Sequence, residues 1–240
     1  LAYVIMIILI WIPMARRKSL AFLDVGQGDC FAADTKSGVI IFDGGSSSED
    51  QVGRYRILPY MKYLGYQKIQ IAVISHMDVD HYSGIMELLE MGKIKYLGLP
   101  EIPKDEAMKK IIGIAKKRGT TIFYLSRGRQ ITTKDGSFKV LHPQKNSQME
   151  KNAASLVMQG KILGYRVLLT GDVEKEGEEE LLSEELERTD ILKAAHHGSK
   201  NSTSNEFLQK VQPKQTVISC GKQNRYGHPH LETIHRLQTY

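Results

Sequence analysis

Four side chains able to bind a metal ion stand together in the stretch SHMDVDH, Ser75 to His81: His76, Asp78, Asp80 and His81. Imidazole nitrogen and carboxylate oxygen together suit the zinc and manganese ions of hydrolytic sites. Residues of the same kind recur far along the chain: Asp172 in LLTGD, His196 and His197 in HHGS, and His228 in YGHPH. An aspartate can bridge two ions a few ångströms apart, as a two-metal displacement requires. The expected cofactor is therefore a divalent metal, one ion or two, with manganese or zinc foremost and magnesium a third choice. A single loop histidine means little, but this many ligand types at one kind of position is hard to explain as solvation.

That position is the end of a strand. The apolar run IQIAVI precedes Ser75, YRVLLTG precedes Asp172, DILKAA precedes His196, and QTVISC precedes His228 by a short loop. Residues just past a buried strand leave the packed interior at the sheet edge, where functional groups gather. The runs LAFLDV, DCFAAD and VIIFD, with the glycines Gly44 and Gly45 behind them, read as an antiparallel start. A helical segment follows around 54–64, and then strand, loop and helix alternate: IQIAVIS into GIMELLEMG, and IKYLGL into DEAMKKIIGIAKKRG. The segment SLVMQGKILGYRVLLTGD reads as a hairpin turning near Gly160 and Lys161, and Glu174–Arg188 as an acidic amphipathic helix. The helix NEFLQKV, the strand QTVISC and a final helix opening at LETIHRL complete the order. Two mixed β-sheets flanked by helices, an αββα sandwich of the α/β class, fit it better than one doubly wound sheet.

The whole-chain balance is that of a globular protein, 41% hydrophobic and 25% charged, which excludes wholesale disorder. Two cysteines, Cys30 and Cys220, supply neither a disulfide framework nor a cysteine zinc site. The excess of 33 Lys and Arg over 27 Asp and Glu, a net +6, suits an anionic partner such as nucleic acid or a membrane surface, and equally a solvated basic surface. The opening run LAYVIMIILIWIP is uninterrupted apolar sequence, too short for a full span and without the basic start of a signal peptide. Residues 1–15 are expected to be the end of a transmembrane helix, and 19–240 a hydrolase domain. The ARRK junction, Ala15 to Lys18, would mark the membrane exit, and its charge leans toward a cytoplasmic flank.

The strings HMDVDH, LLTGD, HHGS and YGHPH resemble the metallo-β-lactamase fold. FLDVGQGDC, IIFDGG and HHGSKNS are similar, within that superfamily, to the C-terminal domain of ComEC-like competence proteins, polytopic membrane channels for DNA uptake. Stand-alone secreted relatives share these strings. The resemblance implies an αββα sandwich, a nuclease acting on the DNA strand not taken up, DNA, the membrane and other competence proteins as partners, and an extracytoplasmic location. It also implies roles: His76 and Asp78 on one ion, Asp80, His81 and His228 on the other, and Asp172 between them. Catalysis would rest on Asp80, His196 and His197. Of the two histidines one could be a ligand, and His197 is favoured as the acid that protonates the leaving oxygen. Ser199, Lys200, Asn224 and Tyr226 are expected to touch substrate, with Lys222 and Arg225 nearby. Asp43 would orient a ligand histidine. For Asp24 and Asp29 the expectation is only a turn.

Two departures from the superfamily pattern matter. Asp78 stands where the usual string has a histidine, which hardens the site toward manganese or magnesium. The family's third motif would supply a further ligand histidine a few tens of residues before Asp172, but only His142 lies in that interval and reads as a structural strand-end residue, while Asn152 and Ser155 occupy the place. An ester, thioester, lactam or other phosphodiester substrate, or a DNA-binding domain without catalysis, stays open on the residues alone.

Overall fold

The computed structural model describes residues 18–150 and 152–240. Strands β1 (Leu20–Phe22), β2 (Phe31–Thr35) and β3 (Gly38–Phe42) are antiparallel neighbours. Strands β4 (Ile69–Val73), β5 (Ile94–Pro100) and β6 (Thr121–Leu125) then add in parallel, so the first sheet runs in chain order. The second sheet pairs β7 (Gln130–Thr133), β8 (Gly136–His142), β9 (Val157–Ile162) and β10 (Tyr165–Leu169) antiparallel. Strands β11 (Ile191–Lys193) and β12 (Gln215–Val217) extend it in parallel beyond β10. Both sheets are mixed, as expected.

Alternation along each strand sorts side chains into two layers. Phe31, Ala33, Ile40 and Phe42 face the second sheet and meet Phe138, Val140, Met158, Val167 and Leu169. Ala32, Val39 and Ile41 face outward, into a layer with Ile85, Leu88, Leu89, Met108 and Ile111. Those residues lie on α2 (Val79–Glu90) and α3 (Glu106–Lys117), beside a π-helical turn at Gly53–Ile57 that runs into α1 (Leu58–Tyr63). Asp105 starts α3 by accepting the Met108 N–H at 2.8 Å. On the far face, α4 (Lys175–Leu182) and α5 (Asn205–Val211) bury Leu181, Phe207, Leu208 and Val211 against β10 and β11. The last helix, α6 (Leu231–Thr239), is tied on by Arg236, which donates to the carbonyls of Lys200, Ser202 and Thr203. Each fully buried aliphatic or Phe side chain contributes about 1.5–3 kcal/mol, so these three layers hold the sandwich together.

Three details differ from the sequence reading. The β9–β10 hairpin turns at Leu163 and Gly164, both at positive φ as a two-residue hairpin loop requires, not at Gly160 and Lys161. Gly160 lies inside β9, where a Cβ would run into the backbone of Ser137 and Phe138 on β8. Helix α4 stops at Leu182 instead of reaching Arg188, because the Gln159 side chain both donates to the Glu187 carbonyl and accepts its N–H, holding that segment extended. Strands β6 and β7 carry no reading from the sequence, and β8 only its end at His142; the polar strand β7 (QITT) lies at the sheet edge and carries little apolar signal. The expected membrane-helix tail falls outside the described residues, and among those described no helix is long and apolar enough to cross a membrane.

Candidate metal centre

Three backbone segments are zipped together beneath the site. The loop after β1, the end of β3 and the start of α2 exchange the bonds Asp29 N–H to Asp80 O at 3.1 Å, Gly45 N–H to Asp29 O at 3.2 Å and Gly44 N–H to His81 O at 2.9 Å. Glycine is required at this crossing: a Cβ on Gly45 would lie 2.5 Å from the Val79 carbonyl oxygen and 2.6 Å from the His81 nitrogen. The contact presents Asp80 and His81 from the first turn of α2. After β4, the Ser75 N–H binds Asp43 Oδ1 at 2.7 Å and its carbonyl accepts the Leu156 N–H at 2.9 Å, which fixes the loop that carries His76. Asp172 follows β10, its N–H donated to Ser155 Oγ at 3.2 Å. His196 and His197 follow β11 in a 3₁₀ turn where both adopt positive φ, 49° and 53°. Such a conformation is strained for non-glycine residues and is a feature of sites that must aim side chains.

Seven sequence-predicted residues converge here. His81 donates Nδ1–H to Asp43 Oδ2 at 2.9 Å, which leaves Nε2 as the nitrogen that faces the site, 3.2 Å from Asp172 Oδ1. His197 donates Nδ1–H to the Ser219 carbonyl at 2.8 Å, leaving Nε2 3.4 Å from Asp80 Oδ2 and 3.3 Å from Asp172 Oδ2. His76 has Nδ1 at 3.0 Å from Ser75 Oγ and Nε2 at 3.6 Å from Asp78 Oδ2. His228 stands beside His196 and His197, ring centroids 5.5 and 6.2 Å away. Nε2 of His76, His81 and His197, Nδ1 of His228 and Oδ1 of Asp172 are buried without a hydrogen-bond partner. Imidazole nitrogens this close to carboxylate oxygens need positive charge between them, a proton or a metal ion. The donor set therefore fits a divalent ion of the zinc or manganese kind.

His196 differs from its neighbour. It is partly exposed, with Nδ1 at 3.0 Å from Glu174 Oε1 and Nε2 at 3.9 Å from Asp172 Oδ2. Asp43 occupies the orienting place expected of it. Asn224 does not reach outward: its amide donates to the Gly221 and His228 carbonyls and accepts from the Tyr226 and His228 N–H groups. All of it is engaged in shaping the loop, so the substrate contact expected of it is corrected to a structural one. Ser199 Oγ accepts the Asn201 N–H at 3.3 Å, a local turn bond. Tyr226 is exposed and stacks on His228 at 5.6 Å, with the Arg225 guanidinium 4.9 Å over its ring. His142 ends β8 away from this cluster, bonded to the Ala153 carbonyl, as a structural residue. Ser155, in the place of the absent ligand histidine, serves the Asp172 backbone instead.

Two participants were missed or undervalued in the sequence. Lys193, the last residue of β11, is buried and carries its ammonium into ion pairs with Asp29 Oδ2 and, at 3.5 Å, with Asp172 Oδ1. Asp29 is buried as well, and its oxygen atoms approach His81 Nδ1 and His197 Nδ1 at 3.7 and 3.8 Å. The available signal was a lysine closing an apolar run just before a histidine loop. Burial opposes charge on Asp172, yet His197, His81 and Lys193 hold its carboxyl well below the usual range. Burial likewise opposes protonation of His197, but Asp172 and Asp29 overcome it and push it up to about 10. His228 is pushed down to about 4 by burial and then by His196, His197 and His230.

Residues 23–222 match the metallo-beta-lactamase superfamily, and the chain belongs to it. Relatives point to one branch. The chain is 34% identical over 256 residues to ComE operon protein 3 of Bacillus subtilis, covering 99% of this chain and 33% of that protein. It is 29% identical over 224 residues to competence protein ComA of Neisseria gonorrhoeae, covering 90% of this chain and 29% of that one. These similarities are those of a ComEC-like domain, and the chain spans about a third of the length of the curated relatives it matches. Among solved structures, the metallo-beta-lactamase fold protein YhfI of Bacillus subtilis superposes with a TM-score of 0.59 at 13% identity, over 92% of this chain and 93% of that one. This likeness establishes the shared fold.

Proposed function

We propose that this chain is the metal-dependent phosphodiesterase domain of a ComEC-like DNA-uptake protein, degrading the DNA strand that is not transported. The observation that carries the reading is the set of buried imidazole nitrogens without hydrogen-bond partners on His76, His81, His197 and His228, of which those of His81 and His197 lie 3.2 and 3.3 Å from Asp172. In this reading His76, Asp78 and Asp172 would hold one divalent ion, and Asp80, His81, His197 and His228, with Asp172, would hold a second. Ser155, in place of a further ligand, makes the first the weaker position. When bound, the metal supplies positive charge where negative charge develops on the phosphate.

The protein's own groups do the rest. Nδ1 hydrogen bonds to Asp43 and to the Ser219 carbonyl turn Nε2 of His81 and of His197 toward the site, the nitrogens that would meet the metal once its charge displaces their protons. With His197 engaged in this way, the proton for the leaving oxygen falls to His196, whose Nδ1 is oriented by Glu174 and whose Nε2 faces the site. Asp80 is the carboxylate at the site positioned to take a proton from the attacking nucleophile. Tyr226, backed by Arg225, offers a face on which a base can stack, and Lys200 a charge for a phosphate. The domain would act on the extracytoplasmic face of a bacterial membrane, anchored through the preceding membrane region and working beside other competence proteins.

Purified protein incubated with single- and double-stranded DNA and manganese tests this. Cleavage should require the metal and be abolished by Asp172→Ala and His76→Ala. His196→Ala should slow it by roughly 10²–10⁴-fold with manganese binding retained. Cleavage that survives Asp172→Ala, or none with any divalent ion, would overturn the reading. Turnover of a small ester or lactam without DNA cleavage would replace it.

A further inference from the structure

By distance alone, Asp29, His81, Asp172 and His197 form a ready cation site, their ligand atoms all within 4.8 Å of one another. The Lys193 ammonium alters that picture. It touches Asp29 Oδ2, lies 3.5 Å from Asp172 Oδ1 and donates to the Gly171 carbonyl at 3.0 Å. Lys193 is only 4% exposed, so the ammonium cannot swing out to water. A buried ammonium repels a divalent cation and competes with it for a carboxylate oxygen that it touches. Neither oxygen of Asp29 has a conventional hydrogen-bond donor, so the lysine is the group that answers its charge.

We propose that Lys193 is the resident cation of this inner corner, and that Asp29 is its counter-ion and not a metal ligand. The pair acts on metal binding through Asp172. With Asp29 holding the ammonium, Asp172 keeps its oxygens for the proposed ions. Without Asp29, Asp172 is the carboxylate among the described residues left within ion-pair distance of the lysine, which then competes with metal there. The inference rests on the metal reading above and deepens it: a charge clamp built from two residues outside the ligand strings sets how strongly the shared aspartate can bind.

The test is a double-mutant cycle on the purified protein, with manganese as the probe and free ion followed by electron paramagnetic resonance. Asp29→Asn should weaken binding by about 10- to 100-fold, the range for residues that support ligands. Asp29→Asn combined with Lys193→Met removes both charges and should restore affinity to within about threefold of wild type with the same ion count. A double variant that binds as weakly as Asp29→Asn, or holds fewer ions than wild type, would overturn the proposal, because Asp29 would then be a ligand. Wild-type crystals soaked with manganese give a readout independent of how the variants fold. Anomalous scattering should place no ion in contact with Asp29, and a peak there would equally overturn it. Wild-type protein that binds no divalent ion would instead sink the metal reading itself, a distinct result.

Discussion

The carboxylate of Asp43 decides which nitrogen of His81 faces the site. Its two oxygens have separate duties, one accepting the Ser75 N–H and the other the His81 Nδ1–H. An asparagine has one acceptor oxygen. If that oxygen keeps Ser75, the amide NH₂ faces His81 and forces the tautomer protonated on Nε2, which cannot bind a metal. Asp43→Asn is therefore expected to preserve size and yet lower manganese affinity by about 10- to 100-fold, measured by titration. Unchanged affinity would mean that His81 is not a ligand. Lys193 and Asp29 make the same point about charge: residues with no contact to the proposed ions still set the strength of the groups that have one.

Elements matter here through close backbone approach and through their ends. Helix α2 can lie against the π-helical turn because Gly84 and Gly53 meet without side chains; a Cβ on Gly84 would sit 2.6 Å from the Gly44 carbonyl oxygen and 2.9 Å from the Gly53 nitrogen. Gly84→Ala should thus shift α2, which carries Asp80 and His81, and cost about 1–3 kcal/mol by overpacking, read as a lower melting temperature together with weaker manganese binding. At the opposite end of the strands, Asp190 joins β10, β11 and β12. Its side chain accepts the Arg166 N–H at 2.8 Å and pairs with Lys214 at 2.8 Å. Lys214 and then the Arg166 N–H lower its carboxyl to about 2, from an ordinary value of 3.8. A depressed carboxyl stabilises the fold above its unfolded value and loses that contribution as pH falls through the folded one. The melting temperature of wild type should exceed that of Asp190→Asn above about pH 4, with the gap closing toward pH 2. A gap independent of pH would refute the linkage.

On the scale of the whole molecule, two sheets share one apolar layer and offer a single rim where the loops after β4, β10 and β11 meet. The rim carries the proposed metal ligands, and Tyr226 and Arg225 stand beside them. The chain's net charge of +6 adds a diffuse attraction for polyanions. Binding of DNA to the Asp172→Ala protein should weaken linearly in log affinity against log salt. Arg225→Ala should reduce that slope by about one if its guanidinium meets a phosphate. A binding constant insensitive to salt would argue against a phosphate-reading rim.

Metal-ligand types were legible from the sequence because they sit in short strings behind apolar strands, where side chains are neither packed mid-strand nor randomly solvated. His76, Asp78, Asp80, His81, Asp172 and His228 could be named as candidate ligands in that way, and the αββα order could be read, since strand and helix leave different apolar periods. Lys193 and Asp29 could not. A lysine at the end of a short strand reads as a solvated edge, and an aspartate in a glycine turn reads as a turn former. Only the tertiary structure buries both and brings them together, from opposite ends of the chain. The sequence favours His197 as the acid, and the proposed assignment to His196 rests on the Ser219 carbonyl beside His197 and the Glu174 carboxylate beside His196, partners that only the fold supplies. Residue type and local pattern determine what a side chain is able to do; its protonation, tautomer and charge partner depend on groups distant in sequence, and those exist only once the sheets have packed.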